Sequence, residues 1–294
     1  MHLVDTHQHL WDLRQFPYSW CAGIPALNRS FLLSDYVAAL DASACAPSAA
    51  RPAVTKTVFM ECDVDEPHGL AEAQHIQTLS DSLAETSGHP LIHGIVATGR
   101  PERDGFRAHL EQLSRLPKLR GLRRILHTQP DELSQQPLFV ENLRLLPEFG
   151  LTFDLCVLAR QLPLARALIA LLPEVTFILD HCGVPDVKGR AFDPWREDLR
   201  AIAALPNVSC KISGIVAYAA PDWTTADLQP WFDHVITCFG WDRVVWGGDW
   251  PVCLLGAPLA RWIDTTAALA TSAGATDIQR AKLYHLNAER LYRV

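Results

Sequence analysis

Residues 151–183 carry the pattern that decides the fold, LTFDLCVLARQLPLARALIALLPEVTFILDHCG. Two short runs, Leu151–Val157 and Val175–Asp180, are largely apolar on both alternating faces, as strands buried on both faces of a parallel sheet are. Between them, Leu162–Leu172 has the spacing of a helix with an apolar face. The stretch therefore predicts a strand–helix–strand unit with parallel strands.

The same alternation extends in both directions along the chain. Six further strands are predicted at Leu3–Leu10, Thr55–Asp63, Ile92–Thr98, Leu119–Leu126, Val208–Ser213 and Val244–Gly248. Further helices are predicted at Ser34–Leu40, Glu66–Thr86, Glu102–Leu116, Leu138–Phe149, Pro194–Leu205, Trp223–Phe239 and Leu259–Ser272, with a closing helix at Thr276–Val294 capped by Thr276. Strict alternation of eight strands and eight helices predicts an α/β fold, a (β/α)8 TIM barrel, as a single domain over residues 1–294.

A doubly wound open sheet is the competing arrangement of these elements. That fold normally carries a Gly-rich fingerprint after the first strand, and this chain has none there. Two loops stand out within the alternation. The insert Trp11–Arg29, rich in aromatic residues and proline, is expected to fold over the mouth of the barrel as a lid, and Ala42–Pro52 is expected to be a surface loop of small residues.

Composition and charge exclude several classes of protein. Hydrophobic residues make up 49% and charged residues 20% of the chain, so it can fill a large core and is not disordered. The formal net charge of −7 argues against a nucleic acid or an anionic membrane as partner, although one local Arg or Lys can still bind a small anion. No segment reaches the roughly 18 apolar residues of a membrane span. The N-terminus lacks the pattern of a signal peptide, so a cytoplasmic location is expected.

The eight cysteines carry neither a zinc-knuckle nor a thioredoxin-like signature, because none forms a Cys-x-x-Cys pair. Cys62, Cys156 and Cys210 lie in apolar runs, where a free cysteine behaves as a small hydrophobic residue. We expect these three to be reduced core residues, which agrees with a cytoplasmic protein.

Candidate catalytic residues follow three of the predicted strands, at the carboxyl ends where barrel active sites form. His7 and His9 lie two residues apart on the first strand, so they face the same side and could hold one divalent metal ion. His181 follows the sixth strand, and Asp249, whose carboxylate can serve as a metal ligand or as a general base, follows the eighth. Each also fits a structural role: polar strand caps, a hydrogen-bonded core histidine, or a loop cap. Their joint placement on the first, sixth and eighth strands favours one common site.

Charged residues on other strands are further candidates. Glu61, at the end of the second strand, is either a supplementary metal ligand or an acid held by loop hydrogen bonds. Arg123 on the fourth strand has a planar fork that matches a carboxylate or carbonyl group, whereas Arg124 should point to the opposite side, among the helices. Lys211 lies inside an apolar strand, where a lysine is costly unless it is paired or faces a polar cavity. Lys211 is therefore expected to face the barrel interior.

Three tryptophans, Trp11, Trp20 and Trp250, flank these motifs. Aromatic faces suit the apolar faces of sugars, but tryptophan is also ordinary packing material. Trp20 and Trp250 are kept as candidate substrate contacts.

The segments VDTHQHLWD, YSWCAGIPALNRSF, LRGLR, DHCGVPD, CKISG, WGGDWPV and HLNAERLY occur in this order between residues 4 and 292. Through them the chain resembles the amidohydrolase superfamily, and within it the amidohydrolase-2 group of sugar-lactone and related lactone hydrolases. The resemblance covers nearly the whole chain.

The resemblance implies a role for each matching residue. His7 and His9 match the metal-binding pair of the superfamily's first strand, His181 matches its sixth-strand histidine, and Asp249 matches the aspartate that activates water and shuttles the proton. The fourth strand has no bridging Lys or acidic residue, and Asp154 on the fifth stands where many relatives place a histidine. One divalent ion, Zn²⁺ before Mn²⁺ and other first-row ions, or a site that works without metal, is therefore expected. Asp154 becomes a candidate for substrate binding.

The expected activity is hydrolysis of a lactone derived from a sugar acid, so the expected partner is a small-molecule lactone. Asp249 would take a proton from water and return it to the ring oxygen, with His181, Arg123 and Lys211 supporting the developing charge. No Gly-x-Ser-x-Gly elbow occurs, which disfavours a serine esterase. Two alternatives remain: a metal-dependent decarboxylase, which Asp154 disfavours, and a non-catalytic metal or sugar-acid binding protein, which would not need Asp249.

Overall fold

The computed structural model describes residues 1–41, 51–87 and 91–294. Within these residues, eight strands are hydrogen-bonded side by side in chain order, and every neighbouring pair is parallel. They are β1 (His2–Gln8), β2 (Ala53–Met60), β3 (Ile92–Thr98), β4 (Leu119–Ile125), β5 (Thr152–Cys156), β6 (Phe177–Leu179), β7 (Val208–Ile212) and β8 (Val244–Trp246). The predicted (β/α)8 barrel is confirmed, and all eight strands lie where the apolar runs placed them. That residues 1–294 form one domain stays a prediction.

Helices connect the strands as the sequence spacing predicted. They are α1 (Leu33–Asp41), α2 (Gly69–Ser87), α3 (Phe106–Leu113), α4 (Pro137–Leu143), α5 (Leu162–Leu171), α6 (Trp195–Ala203), α7 (Thr225–Phe239), α8 (Leu259–Ser272), α9 (Asp277–Ala281) and α10 (Asn287–Tyr292). A π-helical turn, Lys282–Leu286, joins α9 to α10. The hydroxyl of Thr276 caps α9 by accepting from the amide of Gln279, as predicted. Most of the predicted Ala42–Pro52 loop, residues 42–50, lies outside the described residues.

The barrel closes between β1 and β8 through a short seam. Gln8 and Trp250 form a single parallel bridge there. The amide of Asp249 donates to the carbonyl of His7 at 2.8 Å, and the amide of His9 donates to the carbonyl of Trp250 at 2.8 Å. The seam therefore joins the two ends of the sheet at the residues that carry the predicted chemistry.

A buried carboxylate, Asp5, reinforces this seam from β1. Its Oδ1 accepts from the amide of Gly248 at 2.7 Å and from the amide of His7 at 3.0 Å. The hydroxyl of Tyr36 donates to its Oδ2 at 2.7 Å. Because these donors come from β1, the loop after β8 and α1, Asp5 fixes all three relative to one another.

A small apolar cluster fills the barrel where α10 packs against it. Buried residues from five strands contact one another and α10 there: Val4, Val58, Met60, Val96, Ile178, Val245, Ala288, Leu291 and Tyr292. The larger apolar core lies between the strands and the surrounding helices. Among the described helices, none combines the length and hydropathy that a membrane-spanning segment needs.

The insert Trp11–Arg29 is anchored at the carboxyl ends of the strands. The indole nitrogen of Trp20 donates to the carbonyl of Cys62 at 2.7 Å, which ties the insert to the residues after β2. The hydroxyl of Tyr18 donates to the carboxylate of Glu72 on α2 at 3.0 Å. The insert thus lies at the expected end of the barrel, and its action as a lid stays a prediction.

Candidate active site

Three predicted residues converge where β1 and β8 end. The Nε2 atoms of His7 and His9 lie 3.1 Å apart, and Oδ1 of Asp249 lies 3.6 Å from the first and 3.5 Å from the second. All three side chains are buried. Ligands bound at about 2.0–2.2 Å in a tetrahedral zinc site stand roughly 3.3–3.6 Å apart. The two separations from Asp249 match the spacing of a four-coordinate ion, and the two imidazole nitrogens, at 3.1 Å, need to move apart only slightly.

Both histidines present an unprotonated Nε2 to this cluster. Nδ1 of His9 lies 2.9 Å from the carbonyl oxygen of Met60, which can only accept, so Nδ1 carries the proton. Nε2 of His7 lies 3.2 Å from Nη1 of Arg123, which can only donate, so this Nε2 accepts. Nδ1 of His7 lies 3.6 Å from Oδ1 of Asp180, which is too far for a hydrogen bond. Burial, and then Arg123, lower the pKa of His9 to about 3, and burial also lowers that of His7. Neutral imidazoles with an unprotonated Nε2 are the form that binds a metal, and the bond from Nδ1 to Met60 also fixes the ring of His9.

The two carboxylate oxygens of Asp249 face different partners. Oδ1 faces the histidines of β1, whereas Oδ2 lies 4.0 Å from Nδ1 of His181. Asp249 has a φ of 54°, so the chain turns sharply after β8. Burial raises its pKa to about 6, although His181 and Arg123 oppose that shift. Without an ion, Asp249 therefore exchanges a proton near pH 6. With an ion at the histidines, Oδ1 would face the ion and Oδ2 would be the oxygen left to accept a proton.

A tight turn after β6 aims His181 into the same space. His181 and Cys182 both adopt positive φ, 53° and 55°, and Nδ1 of His181 lies 3.0 Å from the hydroxyl of Ser213. Gly214, with φ of 67°, makes room for this arrangement. A Cβ there would lie 2.3 Å from Nδ1 of His181 and 2.9 Å from Oδ2 of Asp249. Sequence reasoning missed Ser213 and Gly214 as site residues, although they end the matching segment CKISG.

Arg123 and Glu61 form a buried ion pair beside the histidines. Nε of Arg123 donates to Oε1 of Glu61 at 2.6 Å, and Nη1 lies 3.2 Å from Nε2 of His7. The other oxygen of Glu61 accepts from the amide of Asp63 at 2.7 Å. Both oxygens of Glu61 are therefore engaged, and the structure places it as the partner of Arg123 rather than in the cluster of His7, His9 and Asp249. Arg124 pairs instead with Glu102, at 2.8 Å.

Lys211 lies in the barrel interior between two carboxylates. Its Nζ donates to Oδ1 of Asp154 at 2.5 Å and lies 2.9 Å from Oδ1 of Asp180. The hydroxyl of Tyr292 on α10 donates to the same oxygen of Asp154 at 2.6 Å. Neither Lys211 nor Asp154 belongs to the lining of the cavity described next. The structure therefore does not bring these two predicted substrate contacts to the substrate's side of the site.

A cavity of about 330 Å³ opens over the cluster. Its polar lining includes His9, Asp63, Arg123, His127, His181 and Asp249. Its apolar lining includes Trp11, Trp20, Ile24 and Leu27 from the insert, with Val252 and Leu255 from the loop after β8. Trp20 thus lies where a substrate contact was expected. Trp250 does not: it is 1% exposed, and its ring packs against Phe31 and Tyr36 with centroids 5.5 and 5.3 Å away.

The fifth strand presents Cys156, and not Asp154, to the cavity. Sγ of Cys156 lies 3.2 Å from Nδ1 of His127, and both residues line the cavity. Cys156 and Asp154 share a face of β5, but Asp154 lies deeper in the barrel. Burial raises the pKa of the Cys156 thiol, so this residue is a neutral thiol at pH 7.

Comparisons with known proteins agree along the full chain. A family model described as Amidohydrolase (Amidohydro_2) matches residues 4–294. An L-fucono-1,5-lactonase of Burkholderia multivorans is 29% identical over 319 residues, covering 98% of this chain and 95% of the relative. An enzyme of the same description from Burkholderia ambifaria is 28% identical, covering 86% of this chain and 81% of the relative. The crystal structure of an amidohydrolase from Burkholderia multivorans with bound zinc superposes with a TM-score of 0.83 at 25% identity, covering 100% of both chains.

Proposed function

The chain belongs to the amidohydrolase family, and from that membership we propose that it is a lactonase, which opens the ring of a sugar-acid lactone with water. Two relatives along most of its length are L-fucono-1,5-lactonases. The observation that carries the proposal is the arrangement of Asp249, which turns one oxygen to His7 and His9 and the other to His181. A protein that only binds a ligand has no need for a buried carboxylate divided in this way.

The donor set fits one divalent ion. His7, His9 and Asp249 would hold it, and when bound it would polarise the lactone carbonyl and lower the pKa of the attacking water. Two imidazoles with a carboxylate are a common zinc set, and a structural relative contains zinc. Nη1 of Arg123 lies 3.2 Å from Nε2 of His7, so this hydrogen bond must break when Nε2 binds the ion, and the permanent charge of Arg123 disfavours a second ion beside the first.

The protein's own groups then move one proton twice. Oδ2 of Asp249 takes a proton from the attacking water while the oxygen of that water forms a bond to the carbonyl carbon of the lactone. When the bond between that carbon and the ring oxygen breaks, Asp249 returns the proton to the ring oxygen.

Neighbouring side chains support the charge that develops on the carbonyl oxygen. Arg123, fixed by Glu61, presents a cation to the cavity, and preorganised charges of this kind stabilise an oxyanion. Burial lowers the pKa of His181, which is therefore neutral and can orient the water by a hydrogen bond. These groups account for hydrolysis without a covalent intermediate.

A panel of five- and six-membered sugar lactones tests the proposal, with a pH indicator for proton release and a separate assay for CO₂. We expect proton release without CO₂ on at least one sugar lactone, and turnover slower by about 10³-fold or more from Asp249→Asn on the same lactone. Release of CO₂ from aromatic acids would instead identify a decarboxylase. Tight binding of a lactone or sugar acid without turnover would identify a binding protein.

A further inference from the structure

A second group of metal-type donors lies at the opposite end of β1 from the active site. Nε2 of His2 lies 3.3 Å from Oε1 of Glu289, and Nδ1 of His285 lies 3.6 Å from Oε2 of the same carboxylate. The rings of His2 and His285 face each other with centroids 3.7 Å apart. His2 begins β1, so at about 3.3 Å per residue it stands roughly 17 Å from His7. We propose that His2, His285 and Glu289 bind one transition-metal ion, such as Zn²⁺ or Ni²⁺, independently of the active site.

The spacing of the donors supports a single ion. One donor atom from each of the three residues lies within 4.8 Å of the other two. The separations of 3.3 and 3.6 Å run to the two different oxygens of Glu289, so each imidazole lies beside one oxygen of the same carboxylate. His285 and Glu289 are four residues apart on the helical segment, so they face the same side. His2 supplies the third donor from a strand, and solvent can fill the fourth position because the group is only half-buried.

The donors are also in a suitable chemical state. Nδ1 of His285 is buried and, at 3.6 Å from Glu289, has no hydrogen-bond partner among the described residues. Burial, and then His2, lower the pKa of His285, which keeps its imidazole neutral. Burial raises the pKa of Glu289, but bonds from His2 and Lys56 outweigh this effect and lower it overall. An ionised carboxylate and imidazole nitrogens without a proton are the ligand forms that binding requires, so His2 must carry its proton on Nδ1 when Nε2 binds the ion.

Lys56 is the group with which an ion must compete. Its Nζ lies 3.3 Å from Oε1 of Glu289, but it also donates to the carbonyl of Val294 at 3.1 Å. The second bond lets the ammonium stay in place when Glu289 turns to an ion. Its positive charge nevertheless opposes the ion, so removal of this charge should tighten binding. A purely structural cluster of hydrogen bonds would give the opposite result, because Lys56 would then only stabilise it.

The proposed ion would tie the start of β1 to α10. Glu289 lies on α10, which also carries Tyr292 into the barrel. An ion that binds only the folded chain stabilises it by mass action, and at a concentration 100 times its Kd we expect Tm to rise by about 5 °C.

The test uses the full chain without a polyhistidine tag. Zn²⁺ is titrated by calorimetry, and bound metal is counted after dialysis, for the wild type, His285→Ala and Glu289→Gln. We expect each variant to bind one equivalent fewer than the wild type and to lose the rise in Tm, with lactone turnover retained. His93→Ala, a half-buried histidine of β3, is the matched control and should bind as the wild type does.

Lys56→Met is an independent test, because it should increase the affinity for Zn²⁺ where the other two variants reduce it. Loss of one positive charge near the donors should tighten Zn²⁺ binding by about fivefold. Equal metal content in the wild type, His285→Ala and Glu289→Gln would overturn the proposal, and so would weaker binding by Lys56→Met. These outcomes do not depend on the active site. All the variants retain His7, His9 and Asp249, so a difference between them in the number of bound Zn²⁺ ions comes from the second site.

Discussion

Oδ1 of Asp249 lies 3.5 Å from Nε2 of His9, so the ends of the first and eighth strands contribute to one buried cluster. The same carboxylate points its Oδ2 towards His181. One carboxylate therefore faces the proposed metal ligands with one oxygen and His181 with the other, which is the arrangement that the proposed hydrolysis needs.

The first prediction concerns the proton carried by Asp249. Asp249→Asn keeps the shape of the side chain but cannot accept a proton. General acid–base catalysis contributes about 10²–10⁴-fold, and a group that acts in two steps should be near the upper end. We expect kcat to fall by about 10³-fold or more, with an unchanged circular dichroism spectrum. More than a tenth of the wild-type kcat on the best lactone would assign Asp249 to a structural role.

The second prediction is a dependence of activity on pH. Asp249 must be ionised to accept a proton, and burial raises its pKa to about 6. In metal-stripped protein with residual activity, kcat/KM should therefore fall about tenfold per unit of pH below about 6. Added Zn²⁺ should move this acid limb to lower pH, because a nearby cation favours the carboxylate. An acid limb that does not move with Zn²⁺ would separate Asp249 from the ion.

The third prediction concerns the metal pair. His9→Ala removes one of the three donors, so bound Zn²⁺ and lactone turnover should decline together. His93→Ala again serves as the control, since it deletes a half-buried imidazole far from the cavity. Metal content is measured by elemental analysis of dialysed protein. If His9→Ala retains metal at the active site, His9 is not a ligand. Full activity after removal of all metal would show that the mechanism does not need the ion.

The fourth prediction uses two glycines with similar backbones. Gly214 has φ of 67° and Gly105 has φ of 79°, so alanine strains the backbone at either position. Only at Gly214 would the new Cβ also reach His181 and Asp249, because nothing lies within 4 Å of a Cβ at Gly105. We expect both variants to lose Tm, Gly214→Ala by more, and we expect a loss of kcat of about 100-fold or more, measured well below either Tm, in Gly214→Ala alone. Equal kcat in the two variants would contradict the crowding at His181 and Asp249.

The fifth prediction revises the expected role of Lys211. Because Lys211 lies between Asp154 and Asp180, Lys211→Met leaves two buried carboxylates without their cation. Breaking a buried ion pair costs about 3–5 kcal/mol, so we expect the free energy of unfolding in urea to fall by about that amount. The exposed Lys188→Met should change it by less than about 0.5 kcal/mol. Asp154→Asn, added to Lys211→Met, should restore part of the lost free energy of unfolding. A Lys211→Met variant of unchanged stability and raised KM would show instead that Lys211 binds substrate.

The strands and the four main site residues were predictable because they depend on local pattern. Apolar runs on both faces indicate buried parallel strands, and a polar residue just after such a run lies at the carboxyl end of the barrel. His9, His181 and Asp249 follow that rule, and His7 lies within β1, one residue before the end of that strand. Nothing beyond the order of the strands was needed to bring them together.

The other site residues could not be placed from the sequence. Their roles depend on how deep each side chain lies in the barrel and on which way it points, and neither can be read from a single strand. Asp154 and Cys156 share a face of β5, and only the stagger of neighbouring strands decides which of them reaches the cavity. The positive φ of Asp249 turns the chain so that Trp250 packs on Phe31 instead of facing the cavity. Likewise, the pairing of Glu61 with Arg123 is set across strands, so the sequence left its role open.

The seam between β1 and β8 also has a consequence for how the chain acquires its activity. The amide of Asp249 bonds to the carbonyl of His7 across nearly the whole length of the chain, and loop-closure entropy makes such distant contacts slow to form during folding. Until they form, His7 and His9 lie on one free edge of the sheet and Asp249 on the other. A chain in which these two strand ends have not met is therefore expected to be inactive. Recovery of turnover during refolding should report the final closure of the ring, later than the recovery of secondary structure.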